Sequence, residues 1–315
     1  MTRAGLWAWL MVTVVALVEG AAFASPPEEG WLRDLQDDVR ADIAAGKPVV
    51  VQVHVPLCDN AIIRCGGSGL GDGNNLKRNL YWATSEGLVG WMDRRDSGWT
   101  AELRATGDVV GEPEVLEVRA WRRDVDMPAA WRGPGMPRRF TVHLVGFGWR
   151  GTSIDRALSA YLSDLFRARP RMISVVDPAT NRKLELAAGG RARIVAWAGH
   201  NRLMDVRADW AELTRTQEVG FRKGALAIAC YSAEYLRPAM PGPSRVPLLL
   251  TASFVMASSA AVEQSVMAFV AGGDFAAIRA GGTAGYARGQ RRPVEKVRNG
   301  FTNPSDRRWH EPRRG

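Results

Sequence analysis

His200 and Cys230 each close an apolar run in the second half of the chain. The first run, Arg193 to Ala198, leads into Gly199-His200-Asn201; the second, Gly224 to Ala229, leads into Cys230-Tyr231-Ser232. A cysteine acts as a nucleophile when a neighbouring base or a lowered pKa supplies thiolate, and a histidine is such a base. Each run reads as a short buried strand that delivers its reactive residue to the strand's C-terminal end. In open α/β sheets that edge is where ligands bind. Thirty residues separate the pair, and with a helix between them that distance suits adjacent parallel strands. The alternative is that both are ordinary core residues, since free cysteine is among the most buried residue types.

The elements that would position the pair alternate between strand and helix. The pattern predicts a helix over Trp31–Ala45, stopped by Gly46-Lys47-Pro48, then a strand over Val49–Val55 apolar enough to be buried on both faces. A glycine-rich loop (66–73) and a helix over Leu76–Met92 follow. Residues 115–121 alternate in polarity as a half-exposed strand does, and 140–147 are more apolar; Pro128, Gly133, Pro134, Gly135 and Pro137 force a loop between them. Thr152-Ser153 caps a helix over Ile154–Arg167. Further helices are expected over 204–213 and 260–270, with a last strand over 247–254. The expectation is an α/β fold: a mostly parallel sheet flanked by helices, with a β-hairpin insertion around 100–150.

With 315 residues, 46% of them hydrophobic, the chain can bury a substantial core. Arg3, the apolar run Leu6–Val18 and Ala22-Phe23-Ala24 together read as a signal peptide over residues 1–24. The run is too short to span a bilayer comfortably, so no transmembrane anchor is expected after cleavage. The expected organisation is one α/β domain over 25–288 and a basic, flexible tail over 289–315. The expected location is periplasmic or secreted. In an oxidising compartment Cys58 and Cys65, seven residues apart, are the natural disulfide pair, which leaves Cys230 as the odd thiol. The formal charge of +9 is concentrated in the tail, which carries eight basic residues against Glu295, Asp306 and Glu311. Such a tail suits anionic surfaces. The chain holds 12 Trp, which alone indicates no function.

The placing of Ala198-Gly199-His200-Asn201 and Ala227-Ile228-Ala229-Cys230 resembles the caspase-like cysteine peptidases, the group that includes gingipains, clostripain and legumain. Those families put a histidine after one buried strand and a cysteine after the next. The resemblance spans residues 49 to 270 in strand order and rests on these two motifs. It implies that Cys230 attacks a peptide carbonyl and that His200 holds the proton and passes it to the leaving amine. It also implies that backbone N–H groups near Cys230 and Asn201 stabilise the oxyanion. Asn201 stands where the family usually carries glycine, a departure that Asn tolerates because it accepts unusual φ/ψ. Asp59 or Asn60, at the mouth of the first strand, would orient a substrate or cap a turn. Asp205 would orient His200 or sit in the first turn of the next helix. The segments Leu57–Asn60, Asn79–Trp82 and Gly199–Asp205 also resemble an uncharacterised bacterial family of exported proteins.

Other chemistries are poorly served. The loop Gly66–Gly73 fits neither phosphate-binding glycine pattern. His54, His143, His200 and His310 are scattered, and Cys58 and Cys65 lack C-x-x-C spacing, so no metal site is expected. There is no G-x-S-x-G elbow and no nucleic-acid-binding module, and no cofactor is expected. The function expected is peptide-bond hydrolysis by a Cys/His dyad on a peptide or protein substrate. The alternative is a non-catalytic exported binding or scaffold protein with the same fold.

Overall fold

Strand β1 (Val49–Pro56) is buried along its whole length and forms the middle of the sheet. Its alternate residues serve two cores. Val49, Val51, Val53 and Val55 face one, and Val50 faces the other with Gln52 and His54. Burying each such valine contributes on the order of 1.5–3 kcal/mol. The computed structural model describes residues 27–176, 181–240, 242 and 244–311. The signal segment expected over 1–24 lies outside the described residues.

The remaining strands are β2 (Thr100–Ala105), β3 (Val115–Asp126), β4 (Arg139–Trp149), β5 (Pro170–Val176), β6 (Lys183–Gly189), β7 (Ile194–Ala198), β8 (Lys223–Ile228), β9 (Arg245–Thr251) and β10 (Phe301–Thr302). Eight of them form one mixed sheet in the order β10-β9-β8-β7-β1-β4-β3-β2. The five central strands, β9-β8-β7-β1-β4, run parallel, and β10, β3 and β2 are antiparallel additions at the two edges. β5 and β6 make a separate two-stranded sheet. Helix α1 (Pro27–Ala44) packs on the first core, together with two later helices, Ser259–Val270 and Phe275–Gly289. The helix Ile154–Phe166 and the β5–β6 pair cover the other face. Among the described residues no helix is long and apolar enough to cross a membrane.

Four expectations need correction. The hairpin around 100–150 is present as β3–β4, but β4 is no insertion: its residues Val142–Trp149 pair in parallel with the whole of β1, so it belongs to the parallel part of the sheet. The helix expected over Leu76–Met92 shrinks to Leu88–Met92, because buried Asn79 holds the preceding segment in turns. Its Nδ2 donates to the carbonyls of Cys58 (2.8 Å) and Asp72 (3.0 Å), and its Oδ1 accepts from the N–H groups of Cys58 and Tyr81. The helix expected over 204–213 begins only at Trp210.

The tail is folded rather than flexible as far as residue 311. Asn303 is buried and donates to the carbonyls of Leu248 and Phe275, and Phe301 and Trp309 are buried beside it. The basic side chains act here as hydrogen-bond donors. Arg308 reaches the carbonyls of Asn299 and Phe301, and Arg237 reaches those of Arg308 and Trp309.

Candidate functional site

β7 and β8 are adjacent and parallel, with Ala198 opposite Ile228. The residues two places beyond each, His200 and Cys230, therefore leave the same edge of the sheet from neighbouring strands, which lie roughly 5 Å apart. Two contacts fix the crossing point. The N–H of Gly199 donates to the Ile228 carbonyl (3.3 Å), and Asn201 Nδ2 donates to the Cys230 carbonyl (2.7 Å). Gly199 lies against the end of β1, where a Cβ would stand 3.1 Å from Pro56 Cγ.

His200 is 8% exposed. Its Nε2 meets Asp205 Oδ2 at 2.7 Å, and its carbonyl accepts from Trp197 Nε1 (3.1 Å). With Asp205 accepting at Nε2, Nδ1 is the ring nitrogen left for another partner. Asp205 ends the 3-10 turn Arg202–Met204, five residues before the helix at Trp210. Of the two places open to it in the sequence, it takes the one beside the imidazole. Partial burial pushes its carboxyl up, but the hydrogen bond and charge of His200, with those of Arg202, outweigh burial and hold it below the ordinary carboxylate range. Arg202 is in turn held by Asp155 at 2.6 Å.

Asn201 carries two roles through its side chain. Its Oδ1 accepts from the Leu203 N–H (3.2 Å) and so caps the turn that carries Asp205, while Nδ2 holds the end of the cysteine strand. A glycine at this position could do neither.

Cys230 is free and partly exposed, and its Sγ lies 3.5 Å from the Val255 carbonyl. The next residue, Tyr231, adopts a left-handed backbone (φ 51°, ψ 30°). For a non-glycine residue this costs of order 1 kcal/mol or more and persists only where the surroundings enforce it. Here they do. The Tyr231 N–H donates to the Ser253 carbonyl (3.0 Å), and its ring meets Phe254 edge-on at 4.8 Å. Below it, the buried Ser232 hydroxyl donates to the Ala227 carbonyl and pairs with Thr251. Two tyrosines sense the thiol electrostatically. Burial first, and Cys230 second, push the Tyr81 hydroxyl up. Tyr286 is raised by burial despite a hydrogen bond from the Met256 N–H, and Cys230 adds to the rise. Tyr286 did not stand out in the sequence, and Tyr81 entered it as part of the segment Asn79–Trp82. Phe254 and Met256 are 70% and 58% exposed beside this edge.

Asp59 and Asn60 cap turns after β1 and lie against the glycine-rich loop. Asp59 Oδ1 accepts from the Ala61 N–H. Asn60 Oδ1 accepts from the Cys65 N–H, and its Nδ2 donates to the Gly66 carbonyl. The glycines make room for these side chains: a Cβ on Gly71 would fall 2.1 Å from Asn60 Oδ1, and one on Gly73 2.2 Å from Asp59 Oδ2. Cys58 and Cys65 form a disulfide that closes the segment leading into this loop, with Cα atoms 6.1 Å apart. Among the described residues no group of three or more His, Cys, Asp or Glu side chains is placed to hold a metal ion.

The arrangement offers a thiol and an imidazole oriented by a carboxylate at one sheet edge, beside a strained turn and an exposed apolar rim. Compared with known proteins, the chain matches no protein family, no curated protein and no solved structure.

Proposed function

We propose that the protein is an exported caspase-like cysteine peptidase that uses Cys230 as nucleophile and His200 as base. The observation that carries this reading is the Asp205–His200 hydrogen bond at an edge where Asn201 also grips Cys230, on consecutive parallel strands. A carboxylate-held imidazole and a partly exposed thiol at one sheet edge are the groups from which a cysteine nucleophile is activated. His200 Nδ1 takes the thiol proton. The Cys230 sulfur forms a bond to the peptide carbonyl carbon, and the C–N bond breaks as His200 returns the proton to the leaving amine. Water then hydrolyses the thioester and regenerates the thiol. The His-then-Cys order on neighbouring strands is what the caspase-like families share, and it supports that fold assignment. The Cys58–Cys65 disulfide supports export to an oxidising compartment, either a periplasm or the exterior.

The test combines mixed fluorogenic peptides with iodoacetamide. The wild type should cleave a subset of peptides, and Cys230 should alkylate faster than an ordinary thiol. The variants Cys230→Ala and His200→Asn should lose cleavage by at least about a hundredfold while keeping their melting temperature. A second reading, an exported binding or scaffold domain, draws on Asn201, whose side chain joins the two strand ends as a structural clamp. Slow alkylation of Cys230, together with no cleavage of any peptide, would select it.

A further inference from the structure

A second cluster of reactive side chains lies at the opposite end of the sheet, where β1 and β4 begin. Strands β2, β3 and β4 bring Glu102, Arg122 and His143 together. Arg122 is the register partner of His143, and the β2–β3 pairing skips Glu102 between Ala101 and Leu103. Glu102 is thus the extra residue of a β-bulge, a device that re-aims one side chain out of the ladder. Its side chain is 0% exposed, and Oε2 accepts from His143 Nδ1 at 2.9 Å. Among the described residues the other oxygen, Oε1, has no hydrogen-bond partner; the Arg122 Nε lies 3.9 Å away, beyond hydrogen-bond range. A buried carboxylate oxygen left unpartnered is destabilising unless something donates to it. Glu102 and His143 line a cavity of about 290 Å³ whose walls include Pro48 and Phe140 and whose rim carries Lys47 and Arg139.

We infer that this cavity is a second ligand site, distinct from the Cys230 edge, and that it takes a small hydroxylated carboxylate of about the size of hydroxybenzoate. The three layers of the cavity each select one part of that molecule. Glu102 Oε1 lacks a donor, and Arg122 already balances the carboxylate charge, so a neutral hydroxyl suits the floor better than a second cation. With Nδ1 committed to Glu102, Nε2 is the atom of His143 left to a ligand. Pro48 and Phe140 line an apolar part of the wall, which suits a ring. Lys47 and Arg139 meet a carboxylate at the rim. Their present partners, Asp42 at 3.1 Å and Asp126 at 2.9 Å, form exposed pairs on at least one side and yield readily. The volume sits at the small end of ligand pockets and excludes a peptide.

Calorimetric titration of the whole protein with 4-hydroxybenzoate tests this, with benzoate and inorganic phosphate as controls. The expected result is that 4-hydroxybenzoate binds at least tenfold more tightly than either control. Glu102→Gln, which keeps the shape but weakens the acceptor, should lower that affinity at least tenfold at unchanged circular dichroism. Cys230→Ala should bind like the wild type, which separates this site from the proposed peptidase site. Should Glu102→Gln fail to fold, saturation of the Lys47→Ala/Arg139→Ala double variant, expected to bind at least tenfold more weakly, decides instead. No binding of 4-hydroxybenzoate at millimolar concentration, equal binding of benzoate, or unchanged affinity in the rim variant would each overturn the inference.

Discussion

The β2–β4 flank and the β7–β8 edge belong to one sheet, yet they treat polar groups in opposite ways. On the flank, four buried indoles donate to carboxylates. Trp82 donates to Glu117 (2.8 Å), Trp91 and Trp99 to the two oxygens of Glu263 (2.8 and 3.0 Å), and Trp121 to Asp93 (2.6 Å). Arginines close the same carboxylates: Arg104 binds Glu117, Arg119 binds Asp93, and Arg123 binds Glu263. Here the tryptophan-rich composition finds its use, since an indole combines large apolar area with one donor that wants a partner. At the β7–β8 edge the thiol is only loosely held, Tyr231 is strained, and apolar side chains face solvent. Around these indoles the paired network makes a rigid frame, with Glu102 Oε1 as the flank's exception, whereas loose and strained groups mark a place kept ready for chemistry.

The contrast predicts that stability and activity separate cleanly. Glu263→Ala removes one carboxylate from two buried indoles and Arg123 at once. It should lower the unfolding free energy by about 3–5 kcal/mol, as breaking a buried charged group does, read by urea titration. Cys230→Ala should move the same quantity by less than about 0.5 kcal/mol. Comparable losses from the two variants would show that the His/Cys edge is part of the frame. A smaller effect is expected from Asp205→Asn. In the proposed peptidase Asp205 is a positioning residue, so its loss should lower kcat by about tenfold or more with KM little changed, and should slow Cys230 alkylation in step. An unchanged alkylation rate would detach Asp205 from the thiol.

How much of this was legible in the sequence follows from range. The central strands were visible because β1, β7 and β8 are short continuous apolar runs buried on both faces. The His200 and Cys230 placement followed from those runs alone. The disulfide was legible from spacing once export was assumed. The indole–carboxylate pairs were not, since Trp91 and Glu263 lie 172 residues apart and no local pattern links them. The turns of residues 76–87 were hidden for the same reason: Asn79 reaches back to Cys58, and its apolar neighbours imitate a helix. The tail misled through composition, because charge and proline suggest a solvated segment unless the arginines find backbone carbonyls, as Arg308 does. The role of Asn201 needed the neighbouring strand, because its partner is the carbonyl of Cys230.

The smallest expected effect concerns a histidine on the frame side of this division. His54, fully buried, accepts from Trp149 Nε1 on Nδ1 (3.2 Å) and meets Asp164 Oδ2 through Nε2 (3.0 Å). That pattern is complete for a neutral ring. Burial lowers its pKa first and most; the hydrogen bond and charge of Asp164 raise it without compensating, Arg171 lowers it further, and Glu112 raises it slightly. The native pKa therefore lies below the ordinary 6.5. Between those two values the unfolded chain binds a proton that the native protein does not. Stability is then at its full value above about pH 6.5 and is lost as pH falls toward the native pKa, by up to about 1.4 kcal/mol per pH unit. In His54→Gln this part of the slope should vanish, so the unfolding free energy should be flatter between pH 6.5 and the acid limb, even though the variant is less stable throughout. An equally steep slope in the variant would show that His54 does not titrate against folding, and would place the acid sensitivity of the frame on its carboxylates.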